Sequence, residues 1–172
     1  MWKTLLVDNL LKGPYTNPSP APSAEALAEL GARVDRTARR HLGRSLAIRE
    51  VDAGSCNGCE LEIHAINNIY YDVERFGIRF VASPRHADVL LVTGPVTHNM
   101  REALVRTWQS TPDPKWVVAA GDCACGCGVF AGSYAVAGRV EDFIPVDLHL
   151  AGCPPTPTHL LEGLLALLVA AA

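Results

Sequence analysis

From Leu46 onward the sequence predicts an α/β sandwich of three layers on a mostly parallel sheet. Short apolar segments alternate with segments of helical periodicity between Leu46 and Leu168. One strand candidate, Val89-Leu90-Leu91-Val92-Thr93, is apolar almost without interruption, as a parallel strand covered on both faces must be. The stretch His98 to Ser110 then places Met100, Leu104 and Trp108 at helical spacing, long enough for a crossover between parallel strands. A flavodoxin-like winding is the expected form.

The elements follow in order. Met1 to Leu11 puts Trp2, Leu5, Leu6 and Leu10 on one helical face, a short amphipathic piece for packing or for docking. Pro14, Pro18, Pro20 and Pro22 stiffen an extended linker from Gly13 to Ser23. Ser23 is placed to cap a helix to about Leu42, with Leu27, Leu30, Val34 and Ala38 on its inner face. Its second half is basic, through Arg33, Arg36, Arg39, Arg40, His41 and Arg44. A solvated face is the first reading of that run; contact with anionic headgroups or an acidic partner is the second. Residues 1–44 are thus expected to form a helical, proline-rich extension, and residues 45–172 the α/β domain.

Within that domain, strands are expected at Leu46–Val51, Ile78–Ala82, Val89–Thr93, Trp116–Ala120 and Val146–Leu150. A helix is expected from about Glu60 to Arg75, carrying Ile63, Ile66, Ile69, Tyr70 and Val73. A last helix, Leu160 to Leu168, is apolar nearly all round.

The 172 residues suit one domain with a sizeable core. A net charge of −3 gives no footprint for nucleic acid. Hydrophobic residues make up 49% and charged ones 19%, lean for a free monomer, which points to a surface partly covered by other subunits. The apolar run Leu5-Leu6-Val7 is cut by Asp8 and Asn9, unlike a secretory leader. Gly163 to Ala172 is too short to span a bilayer.

All six cysteines fall in three groups, each set in glycine or proline: Cys56-Asn57-Gly58-Cys59, Cys123-Ala124-Cys125-Gly126-Cys127 and Gly152-Cys153-Pro154-Pro155. Without a leader, such cysteines are expected to bind metal rather than form disulfides. A C-x-x-C pair, a distant cysteine and a Cys-Pro suggest thiolate ligation of an iron–sulfur cluster. Each group follows a predicted strand, so all three are expected at the C-terminal edge of the sheet, where open α/β sheets bind ligands. Cys56, Cys59 and Cys153 are three ligand candidates, and the fourth is open among Cys123, Cys125 and Cys127. Zinc would favour two close pairs, and a thioredoxin-like pair would not need distant partners. A flavin phosphate would want a hydroxyl-rich loop, and Asp52 to Cys56 offers only Ser55.

These motifs, with Cys59-Glu60, Glu74-Arg75-Phe76-Gly77, Ser83 to Gly94, Gly121-x-Cys123 and Gly152-Cys153-Pro154-Pro155-Thr156-Pro157, resemble a known family. The chain is similar to the small subunit of membrane-bound [NiFe] hydrogenases of the formate hydrogenlyase type, homologous to the complex I 20 kDa subunit. The likeness spans about residues 46 to 168. It implies one 4Fe–4S cluster held by Cys56, Cys59, Cys123 and Cys153, with Cys125 and Cys127 as less favoured alternatives. It gives Glu60 a role as proton relay, unless that residue only caps the following helix. His64 and His86 are read as structural.

The resemblance further implies an electron-transfer subunit, not catalytic alone, between a large [NiFe] subunit and a ferredoxin-like subunit. Membrane subunits would complete the complex, with this chain peripheral on the cytoplasmic face of the cell membrane. Adjacent cysteines mark the complex I branch, which passes electrons to quinone, whereas Cys56 and Cys59 are two residues apart and favour the hydrogenase branch. A zinc-stabilised assembly protein is the rival from another class.

Overall fold

The computed structural model describes residues 24–170. The amphipathic segment expected at Met1 to Leu11 and the proline-rich linker lie outside the described residues.

Helix α1 (Ala24–Leu42) buries Leu27, Val34 and Ala38, the face its periodicity selects. Glu25 in its first turn and Arg39, Arg40 and His41 in its last complement the helix dipole. The chain then enters β1 (Leu46–Asp52), followed by α2 (Gly58–Ile66), β2 (Ile78–Phe80), β3 (Val89–Thr93) and the short β4 (Val96–Thr97). Next come α3 (Arg101–Ser110), β5 (Trp116–Ala120), the single-turn helix α4 (Asp122–Gly126) and β6 (Val136–Gly138). Strand β7 (Leu148–Leu150) and helix α5 (Pro157–Ala170) complete the described chain.

Five strands form the main sheet in the order β2-β1-β3-β5-β7, every neighbouring pair parallel. Renumbered as main-sheet strands this is the 2-1-3-4-5 winding of flavodoxin, with its switch point between β1 and β3. Strands β4 and β6 make a separate antiparallel pair. Alternation along the strands divides the interior in two. Leu46, Ile48, Val89, Leu91, Val118 and Ala120 pack with α1, α2 and α5, while Leu90, Val92, Val117 and Ala119 pack with Leu104 of α3. Helix α1 therefore shares its core with the sheet.

Buried Asp88 aligns the starts of β1 and β3. It accepts two bonds from Arg44, at 2.5 and 3.0 Å, and one from the Ala47 N–H at 2.9 Å. A charged group so well paired contributes on the order of 1.5–3 kcal/mol per bond.

The strands at Val89–Thr93 and Trp116–Ala120 match expectation to the residue, whereas others differ. The helix expected to Arg75 stops at Ile66. Asn68 Oδ1 accepts the N–H groups of Tyr70 and Tyr71 at 2.8 and 3.1 Å, a local turn that competes with helix, and Asp72 adopts φ 44°. A 3₁₀ turn over Val73–Phe76 follows. Strands β2 and β7 are shorter than expected, α3 starts at Arg101 rather than His98, and α5 runs longer at both ends.

Candidate functional site

The first cysteine loop is closed by its own side chains. Asp52 Oδ1 accepts the N–H groups of Gly54 and Ser55, both at 2.7 Å, and Ser55 Oγ accepts that of Asn57 at 3.1 Å. The Ala53 N–H donates to Thr93 O at 3.0 Å, which lays the loop across the end of β3. Cys56 is therefore exposed at the switch point, and Cys59 lies in the first turn of α2.

The second and third groups are tied to each other. Gly121 N–H donates to Leu150 O at 2.7 Å and Asp122 N–H to Gly152 O at 2.9 Å. Asp122 Oδ1 accepts the Gly152 N–H in return, at 2.7 Å. Buried Cys123 and exposed Cys153 are thus held in one hydrogen-bonded unit.

Cys59 and Cys123 each feel the thiols of Cys56 and Cys153. Cys59 is pushed up to about 12, by burial first and then by Glu60 and the thiols of Cys123, Cys56 and Cys153. Cys123 is also raised, by burial and by Cys153, Cys56 and Asp122, while the Val129 N–H draws it back down. Thiols so placed stay protonated until a metal supplies positive charge.

Two glycines leave their sulfurs room. A Cβ on Gly121, at φ +94°, would stand 2.6 Å from Cys59 Sγ. One on Gly128, at φ +48°, would stand 2.9 Å from Cys123 Sγ. Both backbones hold conformations that side chains resist.

Cys125 turns away. Its Sγ donates to Ala119 O at 3.5 Å and Leu150 O at 3.9 Å, and its thiol is raised by burial and by Asp122. Two positions along a helix rotate a side chain by about 200°, so Cys123 and Cys125 must face opposite ways in α4. Cys127 takes a left-handed conformation, φ 64°, as α4 ends. Among the described residues no three His, Cys, Asp or Glu side chains gather closely enough for a single metal ion.

Beside Cys59, Glu60 is 8% exposed, and neither carboxylate oxygen finds a hydrogen-bond partner among the described residues. It makes no capping hydrogen bond among the described residues, but it stands in the first turn of α2, where a carboxylate complements the helix dipole. Glu60 lines a cavity of about 490 Å³, whose walls also carry Arg49, Glu50, Asp52, His64 and Phe80. Arg49 Nε and Glu50 Oε1 are likewise buried without a partner. Glu50 is held above the usual carboxylate range by burial, then by Glu60 and Asp52, with Arg49 and the nearby Thr93 hydroxyl opposing. The sequence reading missed Arg49 and Glu50, since nothing in a strand pattern tells where two carboxylates meet. His64 is exposed at the cavity wall rather than structural. His86 is exposed in the turn before β3, at the edge opposite the cysteines.

The model of the NADH ubiquinone oxidoreductase 20 kDa subunit family matches residues 56–167, from the first cysteine into α5. The chain belongs to this family. It is 43% identical over 159 residues to formate hydrogenlyase subunit 7 of Escherichia coli, covering 91% of this chain and 61% of that one. It is 48% identical over 124 residues to a probable membrane-bound hydrogenase subunit of Pyrococcus furiosus, covering 72% and 74%. Family members bear other names too, such as a subunit of the F420H2 dehydrogenase of Methanosarcina mazei, 43% identical over 109 residues, covering 63% and 59%. Among solved structures, an archaeal membrane-bound sulfane sulfur reductase contains a chain with TM-score 0.65 and 32% identity, covering 80% of this chain and 74% of that one. The resemblance drawn from the cysteine groups is thus the family that matches. No helix among the described residues is long and apolar enough to cross a membrane.

Proposed function

We propose that the chain is the electron-transfer subunit of a membrane-associated oxidoreductase complex, holding one 4Fe–4S cluster on Cys56, Cys59, Cys123 and Cys153. The observation that carries this reading is the meeting of the three cysteine groups at one sheet edge: Gly121, which opens the second group, lies against Cys59 Sγ, and Asp122 is bonded to Gly152 beside Cys153. A structural zinc would favour two close cysteine pairs, whereas Cys153 stands alone beside its prolines. When bound, the cluster supplies one-electron redox chemistry.

The chain's own residues tune and orient. Gly121 and Gly128 keep the sulfurs uncrowded, and the Val129 N–H stabilises the Cys123 thiolate. Glu60 adds negative charge beside Cys59, which disfavours an incoming electron and lowers the potential. Glu60 is also the residue positioned to relay a proton, since it lines the cavity and neither of its oxygens has a partner among the described residues.

The names of the hydrogenase relatives and the C-x-x-C spacing favour a large [NiFe] subunit as the partner at this rim, with a ferredoxin-like subunit on the other side. Membrane subunits anchor the complex, and the chain sits peripherally on the cytoplasmic face. The rival, transfer to quinone, would use the apolar side of the cavity beside Cys59, where Ile63, Phe80, Val81 and Ala82 line the wall together with the charged Arg49, Glu50 and Glu60. The C-x-x-C spacing favours the hydrogenase reading over it.

Iron and sulfide analysis with electron paramagnetic resonance on the anaerobically purified chain tests the reading. Wild type is expected to carry about four irons per chain. Serine at 56, 59, 123 or 153 is expected to lose the native signal, and serine at 125 or 127 to keep it. Bound zinc with no paramagnetic signal after reduction sinks the proposal.

A further inference from the structure

The cavity beside the first cysteine loop presents a charge problem that the described residues do not solve. Three carboxylates, Glu50, Asp52 and Glu60, face one guanidinium, Arg49. Asp52 is satisfied by its two backbone donors. Glu60 is more than nine-tenths buried with both oxygens unpartnered, and Glu50 Oε1 is buried and unpartnered as well. Arg49 relieves Glu50 only in part: its charge favours the carboxylate from a distance, but its own Nε is buried without an acceptor and it forms no ion pair among the described residues. A buried charge without a partner is among the most costly features a fold can hold.

A metal ion does not answer this need, because no three ligating side chains among the described residues come close enough together. The cavity of about 490 Å³ is also far larger than one ion or one water. Ile63, Phe80 and Val81 line it beside the charged groups, and Leu61, on the helix that carries Glu60 and Ile63, is 61% exposed. Apolar walls around a charged recess suit an anchor side chain from another protein. Two carboxylates in one recess match the planar, multi-donor head of arginine better than the point charge of lysine.

We propose that the recess between Glu50 and Glu60 receives an arginine of the subunit that docks over the cysteine rim, and that this arginine completes the charge balance of the site. The inference rests on the functional reading above, in which a partner covers that rim. The guanidinium would pair with Glu60 beside Cys59 and with Glu50 behind it. Docking and the electrostatics around the cysteines would then be coupled.

The test uses the complex isolated through a tag on this chain, with Glu50→Gln and Glu60→Gln made singly and together. Thermal unfolding of the free full-length chain and dissociation of the complex on dilution are both measured. The double variant is expected to unfold at a higher temperature than wild type as a free chain, because two unpaired carboxylates are gone. Its complex is expected to dissociate at least about tenfold more readily. Butanedione labelling read by mass spectrometry should find an arginine of the partner protected in the wild-type complex and modified in the variant complex. Unchanged dissociation, a loss of stability in the free chain that parallels the loss of complex, or identical arginine labelling would each overturn the inference. In those cases a wild-type chain that still holds iron and partner leaves the functional reading standing. A wild-type chain that holds neither overturns both.

Discussion

Cys59 and Cys125 are two half-buried thiols on the same edge of the sheet, and they behave differently. Burial raises both. The Cys59 sulfur, however, feels the charge of Glu60 and the thiols of Cys123, Cys56 and Cys153 and makes no hydrogen bond among the described residues. The Cys125 sulfur is occupied by the carbonyls at the ends of β5 and β7. One thiol is left unsatisfied at a crowded, negative place, and the other closes the seam between two strands. Residue type and burial are therefore poor guides to function here; what matters is whether the side chain's bonding capacity is already used.

The comparison breaks most simply at the sulfurs themselves. Cys59→Ser is expected to abolish the iron signal of the chain and to cut electron transfer in the complex by at least about a hundredfold. Cys125→Ser should leave both unchanged, as iron analysis and reduction kinetics will show. Equal loss from the two substitutions would erase the distinction.

Gly121→Ala is the next largest effect. The new methyl would collide with Cys59 Sγ at 2.6 Å, on a backbone with φ +94°. A cost of about 1–3 kcal/mol in unfolding free energy is expected, together with partial loss of iron. Denaturant midpoints measure the first and metal analysis the second.

A smaller effect comes from pH. The thiols of Cys59, Cys123 and Cys125 are raised in the folded chain above the ordinary value of 9.0. Between the unfolded and folded values the native state binds more protons, so stability of the metal-free chain is full below about 9 and falls as pH rises beyond it. Cys59→Ser should flatten that fall more than Cys125→Ser does, because only Cys59 is pushed up to about 12. Thermal unfolding of the metal-free chain from pH 7 to 10 checks this. Smallest of all, Cys125→Ala gives up two weak sulfur bonds and is expected to cost less than about 1 kcal/mol by the same denaturant assay.

Much of this was legible in the sequence. Val89–Thr93 and Trp116–Ala120 could be bounded to the residue, because each is an apolar run framed by Asp88 or Lys115 before it and glycine just after. The meeting of the cysteine groups at one edge followed from strand ends alone. The helix after Cys59 was read too long because Ile69 and Tyr70 continue an apolar rhythm, while Asn68 spends its side chain on a turn. Cys123 could not be separated from Cys125 without knowing that a single helical turn stands between them. The charged recess was invisible for a plainer reason: Glu50 lies on β1 and Glu60 on α2, and only the packing of one on the other strands their carboxylates.

The strap between Asp122 and Gly152 carries a consequence for how the protein matures. Gly152 and Cys153 follow β7, the last main-sheet strand among the described residues, and the strap closes only when β7 lies against β5. A nascent chain halted before residue 148 carries Cys56, Cys59 and Cys123 but lacks the Gly152 end of the strap that braces the turn bearing Cys123. The cluster site proposed above would then be completed only after β7 has been made and has paired with β5.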